Sequence, residues 1–185
     1  MRDRGTDRGQ VVGVVGEPGI GKSRLLYELR QMAGQPVIYL EGRCLSYGSA
    51  IPYLPVLDIV RQHCGITETD PPEALAEKVS LSLQKVGMAP EEWAPYLLHL
   101  LGVKEGTEKL AVLSAEAIKA RTFETRRQLL FNASRQRLLI LTVEDLQWID
   151  KTSEEYFALL VEGLPGAPIV FLVTYQQFPE SDKRQ

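Results

Sequence analysis

Eight residues near the start of the chain, Gly16-Glu17-Pro18-Gly19-Ile20-Gly21-Lys22-Ser23, follow the pattern G-x-x-x-x-G-K-S. The chemistry this suits is the binding of a polyphosphate. Glycines at 16, 19 and 21 let the backbone curl close to phosphate oxygens where a Cβ would clash. A helix that opens here adds unpaired N–H groups and a partial positive charge. In such a loop Lys22 reaches the β- and γ-phosphates, and the Ser23 hydroxyl ligates Mg²⁺. Gly16 to Ser23, together with Arg24, is the expected nucleotide-binding segment.

A second group of chemical interest closes the apolar run Leu138-Leu139-Ile140-Leu141-Thr142-Val143, which ends in Glu144-Asp145. A buried strand delivering two carboxylates is the Walker B pattern. Phosphoryl transfer depends on positioning and on neutralising charge around a metal, so carboxylates are needed there. Glu144 is assigned to the Mg²⁺ shell with Ser23. Asp145 is assigned to orienting or deprotonating the attacking water, with Lys22 completing the catalytic set.

These residues need elements to hold them. Val11-Val12-Gly13-Val14-Val15 reads as a strand entering the loop, and a helix runs from the loop to about Met32. Pro36 starts a second strand, Val37 to Leu40, which Glu41-Gly42-Arg43 ends. Residues 45–55 read as loop, broken by Gly48, Pro52 and Pro55. Asp70 is expected to cap a helix buried through Leu75, Val79, Leu83 and Val86. A short helix follows over Glu91 to Leu101. Ser114 is expected to cap a long helix to about Arg135, buried through Ile118, Thr122, Leu129 and Ala133. After Leu138–Val143, the capping box Thr152-Ser153-Glu154-Glu155 opens another helix, and Ile169 to Thr174 forms a last buried strand. Strands separated by helices predict a three-layer α/β fold with a mainly parallel sheet.

The 185 residues suit one domain of ordinary size. A hydrophobic content of 44%, a charged content of 24% and a net charge of −3 are those of a soluble globular protein without a broad nucleic-acid-binding face. Cys44 and Cys64 have no metal-ligand spacing and read as reduced thiols of a cytoplasmic protein. No apolar stretch reaches the length of a membrane span, and the first ten residues lack a signal-peptide core. Residues 1–10 read as a flexible lead-in, 11–176 as the nucleotide-binding domain and 177–185 as a tail. His63 and His99 read as isolated histidines rather than ligands. Arg121, Arg126 and Arg127 read as a solvated helix face, and Trp148 as a packing residue.

Three stretches carry a family resemblance: Gly16 to Leu26, Glu41-Gly42-Arg43-Cys44 with Ile51-Pro52-Tyr53, and Val143-Glu144-Asp145-Leu146-Gln147-Trp148-Ile149-Asp150. They resemble the AAA-type, STAND-class P-loop ATPase domains of large bacterial signalling proteins. These include domains linked to adenylate/guanylate cyclases and to helix-turn-helix regulators. The resemblance spans roughly residues 9–176, and the run from Glu144 to Asp150 is its most specific part. It implies ATP and Mg²⁺ binding, slow hydrolysis used as a conformational switch, and strand order 5-1-4-3-2. Thr174 then lies near the polar sensor position after the fourth strand. Such domains usually carry arginine where Gln176 stands here, which removes a guanidinium from the site. With no fifth strand, lid or effector domain read before Gln185, the chain is expected to be part of a longer polypeptide that carries the effector. In that case Val11–Val15 becomes an apolar edge open to self-association.

Two other functions share the loop. One is a nucleotide-binding scaffold without useful turnover, and the other is a small-molecule kinase, which usually needs a basic lid. A GTPase is disfavoured, because Asn132 is the only asparagine and lies in no guanine-reading motif. A DNA-loading ATPase fits the fold but not the acidic balance.

Overall fold

The computed structural model describes residues 9–34, 36–46 and 52–176. Most of the expected lead-in, the tail, and Gly48 and Ile51 of the loop lie outside the described residues. The chain forms two compact units. One comprises Met1–Val56 with Arg137–Gln185, and the other comprises Leu57–Gln136.

The first unit is a parallel sheet with helices. Its strands are β1 (Gln10–Val15), β2 (Ile38–Arg43), β3 (Leu139–Glu144) and β4 (Ile169–Tyr175). All pairings are parallel and the order is β1-β4-β3-β2. This is the 1-4-3-2 portion of the expected order, and the described residues contain no fifth strand. Every residue of β3 is buried, as its unbroken apolar run requires. β1 lies at one edge, with Val11, Val12 and Val15 exposed at 51%, 39% and 43%. Strand β2 runs three residues further than expected, through Glu41-Gly42-Arg43, because pairing with β3 continues to its last residue, Arg43 opposite Glu144.

Helix α1 (Lys22–Ala33) starts at the glycine-rich loop, and α6 (Lys151–Gly163) connects β3 to β4. The N-cap of α6 is Asp150, not Thr152: its carboxylate accepts from the backbone N–H of Thr152 and Ser153 at 3.1 and 3.0 Å. An aspartate two residues earlier reaches those orphan donors better than the hydroxyl can. Leu159 is exposed, while Tyr156, Phe157 and Leu160 form the buried stripe.

Helix α2 (Leu54–Cys64) leads into the second unit, which holds α3 (Pro72–Lys85), α4 (Pro90–Leu100) and α5 (Ala115–Gln136). Its core joins Val60, Val79, Leu83, Leu97, Leu98 and Leu129. Leu75, Val86, Trp93 and Leu100 pack at the margin of this core. Asp70 does not cap α3. Its carboxylate accepts from Thr67 N–H at 2.7 Å and from Lys78 Nζ at 2.6 Å, which leaves Pro71 at the N-cap. Ser114 does cap α5, accepting from Ala117 N–H at 3.2 Å. The expected arginine face is also corrected. Arg126 is buried, with Nε donating to Thr122 O at 3.2 Å and its guanidinium 4.9 Å from the Phe123 ring centroid. Arg127 pairs with Glu124, and Arg121 is exposed.

Two outcomes are expected. A Cβ at Gly42 would meet Pro55 O at 2.4 Å, a backbone atom that cannot swing aside. Gly42→Ala should therefore destabilise the fold by roughly 1–3 kcal/mol, read from the denaturant midpoint. Burial, with Lys85 adding to it, pushes the His63 imidazole down to about 4 from an ordinary 6.5. The unfolded chain then binds the proton that the folded chain refuses. Stability is full above the ordinary value and falls as pH drops from 6.5 towards 4. His63→Gln should flatten this loss by roughly 1–3 kcal/mol, measured as unfolding free energy against pH.

Candidate nucleotide and cation site

Parallel strands end at one rim, and the candidate residues follow those ends. The loop after β1 is shaped by Gly19 at φ 79° and Gly21 at φ 104°, left-handed conformations that side chains avoid. A Cβ at Gly16 would meet Ile20 Cγ2 at 2.9 Å, so the curl of the loop is itself a glycine requirement. Gly21 occupies the N-cap of α1 and offers no side-chain cap, and no acidic residue lies in the first turn. The first N–H groups of α1, with their partial positive charge, are thus left to a ligand anion. Lys22 Nζ lies across the loop, donating to Gly16 O at 2.8 Å and Glu17 O at 2.9 Å.

Ser23 and Glu144, far apart in sequence, meet here: Ser23 Oγ donates to Glu144 Oε2 at 2.7 Å. A hydroxyl and a carboxylate on one point are oxygen ligands of the sort Mg²⁺ takes, few in number because that ion keeps much of its water. Among the described residues no group of three or more His, Cys, Asp or Glu gathers as a metal cluster. One hydroxyl and one carboxylate fit an ion that, like Mg²⁺, takes most of its ligands from outside the protein.

Glu144 is electrostatically crowded. Burial pushes its carboxyl above the usual range, and the Glu41 carboxylate raises it further, while the Ser23 hydroxyl and the Arg43 guanidinium oppose this. Arg43 pairs with Glu41 at 2.7 Å and lies 3.8 Å from Glu144, but its side chain is 65% exposed, so water screens its help. Arg30 of α1 approaches Glu41 at 3.7 Å. Glu41 was not among the expected site residues. It becomes one because β2 pairs with β3 two residues beyond it, which sets 41, 43 and 144 on one face of the sheet.

Asp145 takes a different place. It sits at φ 56°, ψ 48°, a left-handed conformation in a non-glycine residue, at the head of a short 3₁₀ turn over Leu146–Trp148. Its N–H donates to Thr174 Oγ1 at 3.1 Å, and its Oδ1 accepts from Gln147 Nε2 at 3.2 Å. The carboxylate is thus held towards Gln147 and the end of β4, whereas Glu144 is held towards Ser23. Arg24 turns away to pair with Glu28 and to lie over the Tyr27 ring. Glu17, Pro18 and Ile20 are exposed loop residues, Trp148 is exposed at 38%, and His99 is exposed on α4. Cys44 and Cys64 are buried and form no disulfide. No described helix is long and apolar enough to cross a membrane.

A parallel α/β sheet with a glycine-rich phosphate loop at its rim defines a P-loop nucleotide-binding protein. The sequence model of the AAA ATPase domain matches residues 1–173, and the chain belongs to that family. A similar sequence is an uncharacterized protein of Rhizobium meliloti (strain 1021), 26% identical over 169 residues. That match takes in 90% of this chain but only 16% of the relative, so the chain spans a small part of the relative's length. Among solved structures, cbiO1 from Clostridium perfringens, part of the ABC transporter complex cbiONQ, is similar at 13% identity. It covers 92% of this chain and 68% of its own, with a TM-score of 0.33, a likeness too slight to carry any argument.

The raised Glu144 carboxyl makes folding costlier once that group ionises, because the unfolded chain ionises it more readily. Glu144→Gln keeps an oxygen for Ser23 and removes the charge. It should raise Tm by up to about 4 °C at pH 8, with the gain shrinking as pH falls into the carboxylate range. Calorimetry at both pH values checks this, and an equal gain at each would contradict burial as the cause.

Proposed function

We propose that this chain is the ATP·Mg²⁺-binding module of a multidomain STAND-class signalling ATPase, hydrolysing ATP slowly as a conformational switch. The observation that carries the reading is the 2.7 Å contact between Ser23 of the loop and Glu144 of β3, which joins the phosphate loop to the strand-end acid. When bound, Mg·ATP supplies the γ-phosphoryl group to be transferred to water. Lys22 would exchange the carbonyls of Gly16 and Glu17 for phosphate oxygens, and the glycine-rich backbone from Gly16 to Ser23 would wrap the phosphate chain. Ser23 and Glu144 would hold the cation, and Asp145 would orient or deprotonate the attacking water.

Residues 11–176 act as one ATPase domain in this reading, despite the two compact units. An effector elsewhere on the same polypeptide is part of this reading, carried by the resemblance to signalling ATPases. Exposed Val11, Val12 and Val15 on edge strand β1 support self-association through that edge. A cytoplasmic setting suits an ATP-driven switch. A second reading, a nucleotide-binding scaffold without turnover, is favoured by Gln176, which stands where the resembling domains carry arginine.

Lys22→Ala should weaken Mg·ATP binding roughly 100-fold, the loss of charge-assisted contacts worth about 3 kcal/mol, while leaving the unfolding transition in place. Titration calorimetry reads this, and wild-type affinity in that variant would remove the assignment. In single-turnover phosphate release, Asp145→Asn should slow the wild-type rate by about 100-fold or more. A wild type that binds but releases no phosphate is the scaffold.

A further inference from the structure

We infer that Gln147 is the positioning residue for Asp145, and that it ties the orientation of that carboxylate to the chain leaving β4. The inference rests on the reading of Asp145 as the residue that orients the attacking water.

The carboxamide of Gln147 uses both ends. Its Nε2 donates to Asp145 Oδ1 at 3.2 Å, and its Oε1 accepts from the Gln176 backbone N–H at 3.1 Å. The two contacts fix each other. An N–H can only meet the oxygen end of the amide, so the NH₂ end must face the carboxylate, and a flipped amide would lose both bonds. With Oδ1 accepting from Gln147, the plane of the carboxylate is set, and its remaining lone pairs would meet a water. The backbone of Asp145 is anchored separately by Thr174 Oγ1 and by Trp148 N–H, which donates to Asp145 O at 2.9 Å. These bonds hold the left-handed backbone, and Gln147 sets the rotation of the side chain.

Three successive residues at the end of β4 meet three parts of the site. Thr174 Oγ1 accepts from Asp145 N–H, Tyr175 O accepts from Gly16 N–H at 3.4 Å, and Gln176 N–H donates to Gln147. The first residue of the phosphate loop and the carboxylate of Asp145 are therefore both referenced to one short segment. A shift of that segment along its own axis alters loop and acid together.

Three related side chains each fall short. Glutamate has the same shape but sets a carboxylate against a carboxylate. Asparagine is one methylene short of spanning both partners, and leucine makes neither bond.

The test is single-turnover phosphate release with Mg·ATP by the protein carrying Gln147→Leu, Gln147→Glu or Asp145→Asn, and by the Gln147→Leu/Asp145→Asn double variant. Release by both Gln147 variants should slow by about 10–100-fold, as expected when a reacting group is misplaced by about an ångström. The Mg·ATP dissociation constant should stay within about twofold and Tm within about 2 °C. The double variant should be no slower than Asp145→Asn alone, since Gln147 acts only through that carboxylate. Wild-type release in Gln147→Leu, or wild-type release in Gln147→Glu, overturns the inference. So does further slowing in the double variant, or a joint fall of affinity and Tm, which marks a merely structural side chain. A wild type that binds Mg·ATP but releases no phosphate overturns the hydrolytic reading and this role with it, and is told apart because no Gln147 variant then differs.

Discussion

Strand β3 is paired in parallel on both sides, to β2 and to β4, and is buried from Leu139 to Glu144. Everything at the rim depends on that constraint. Pairing on both edges pins the register of β3: Leu141 lies opposite Leu40 on one side and Phe171 on the other, so a slip would break two ladders at once. Its last residue is therefore fixed opposite Arg43, within reach of Ser23 at the start of α1. The next residue has left the sheet, and Asp145 turns into a left-handed conformation that the end of β4 helps to hold. Adjacent carboxylates face different partners because one ends a strand and the other begins a turn.

That division explains what could be read without coordinates. The loop was legible because its chemistry is local: glycines, a lysine and a hydroxyl at fixed spacing need only a strand before and a helix after. The unbroken apolar run of β3 announced a strand buried on both faces. Glu41 and Gln147 were not legible as site residues. Glu41 matters only because β2 continues to pair through Arg43, and register between strands separated by some hundred residues of sequence leaves no local trace. Gln147 matters because Gln176 arrives beside it through the pairing of β3 with β4.

Two of the expected helix caps failed for a different reason, although the helices themselves begin close to where expected. Asp70 and Thr152 both stand where a cap is expected, yet each lost to a competitor nearby. Lys78 and the Thr67 N–H engage Asp70 in the turn before α3, and Asp150 captures the donors of α6 first. Propensity ranks such residues but does not say which will already be occupied. Arg126 shows the same limit for burial. Charge along α5 suggests a solvated face, but the Arg126 guanidinium lies over the Phe123 ring and the whole residue is buried.

Charge balance gives the rim its chemical direction. Glu41 and Glu144 bring two carboxylates into a partly dehydrated space, and the cations near them are solvent-facing or at long range. Arg43, mostly exposed, offsets little of that charge. An acidic group under these conditions holds a proton more readily than usual, which is the direction Glu144 takes. The same deficit of positive charge favours a divalent cation, which the Glu144 carboxylate and the Ser23 hydroxyl would hold. A bound cation would then offset the cost of burying Glu144, which the fold itself offsets only in part. A fold arranged in this way gains stability when Mg·ATP binds, by mass action, in proportion to how far the ligand exceeds its dissociation constant.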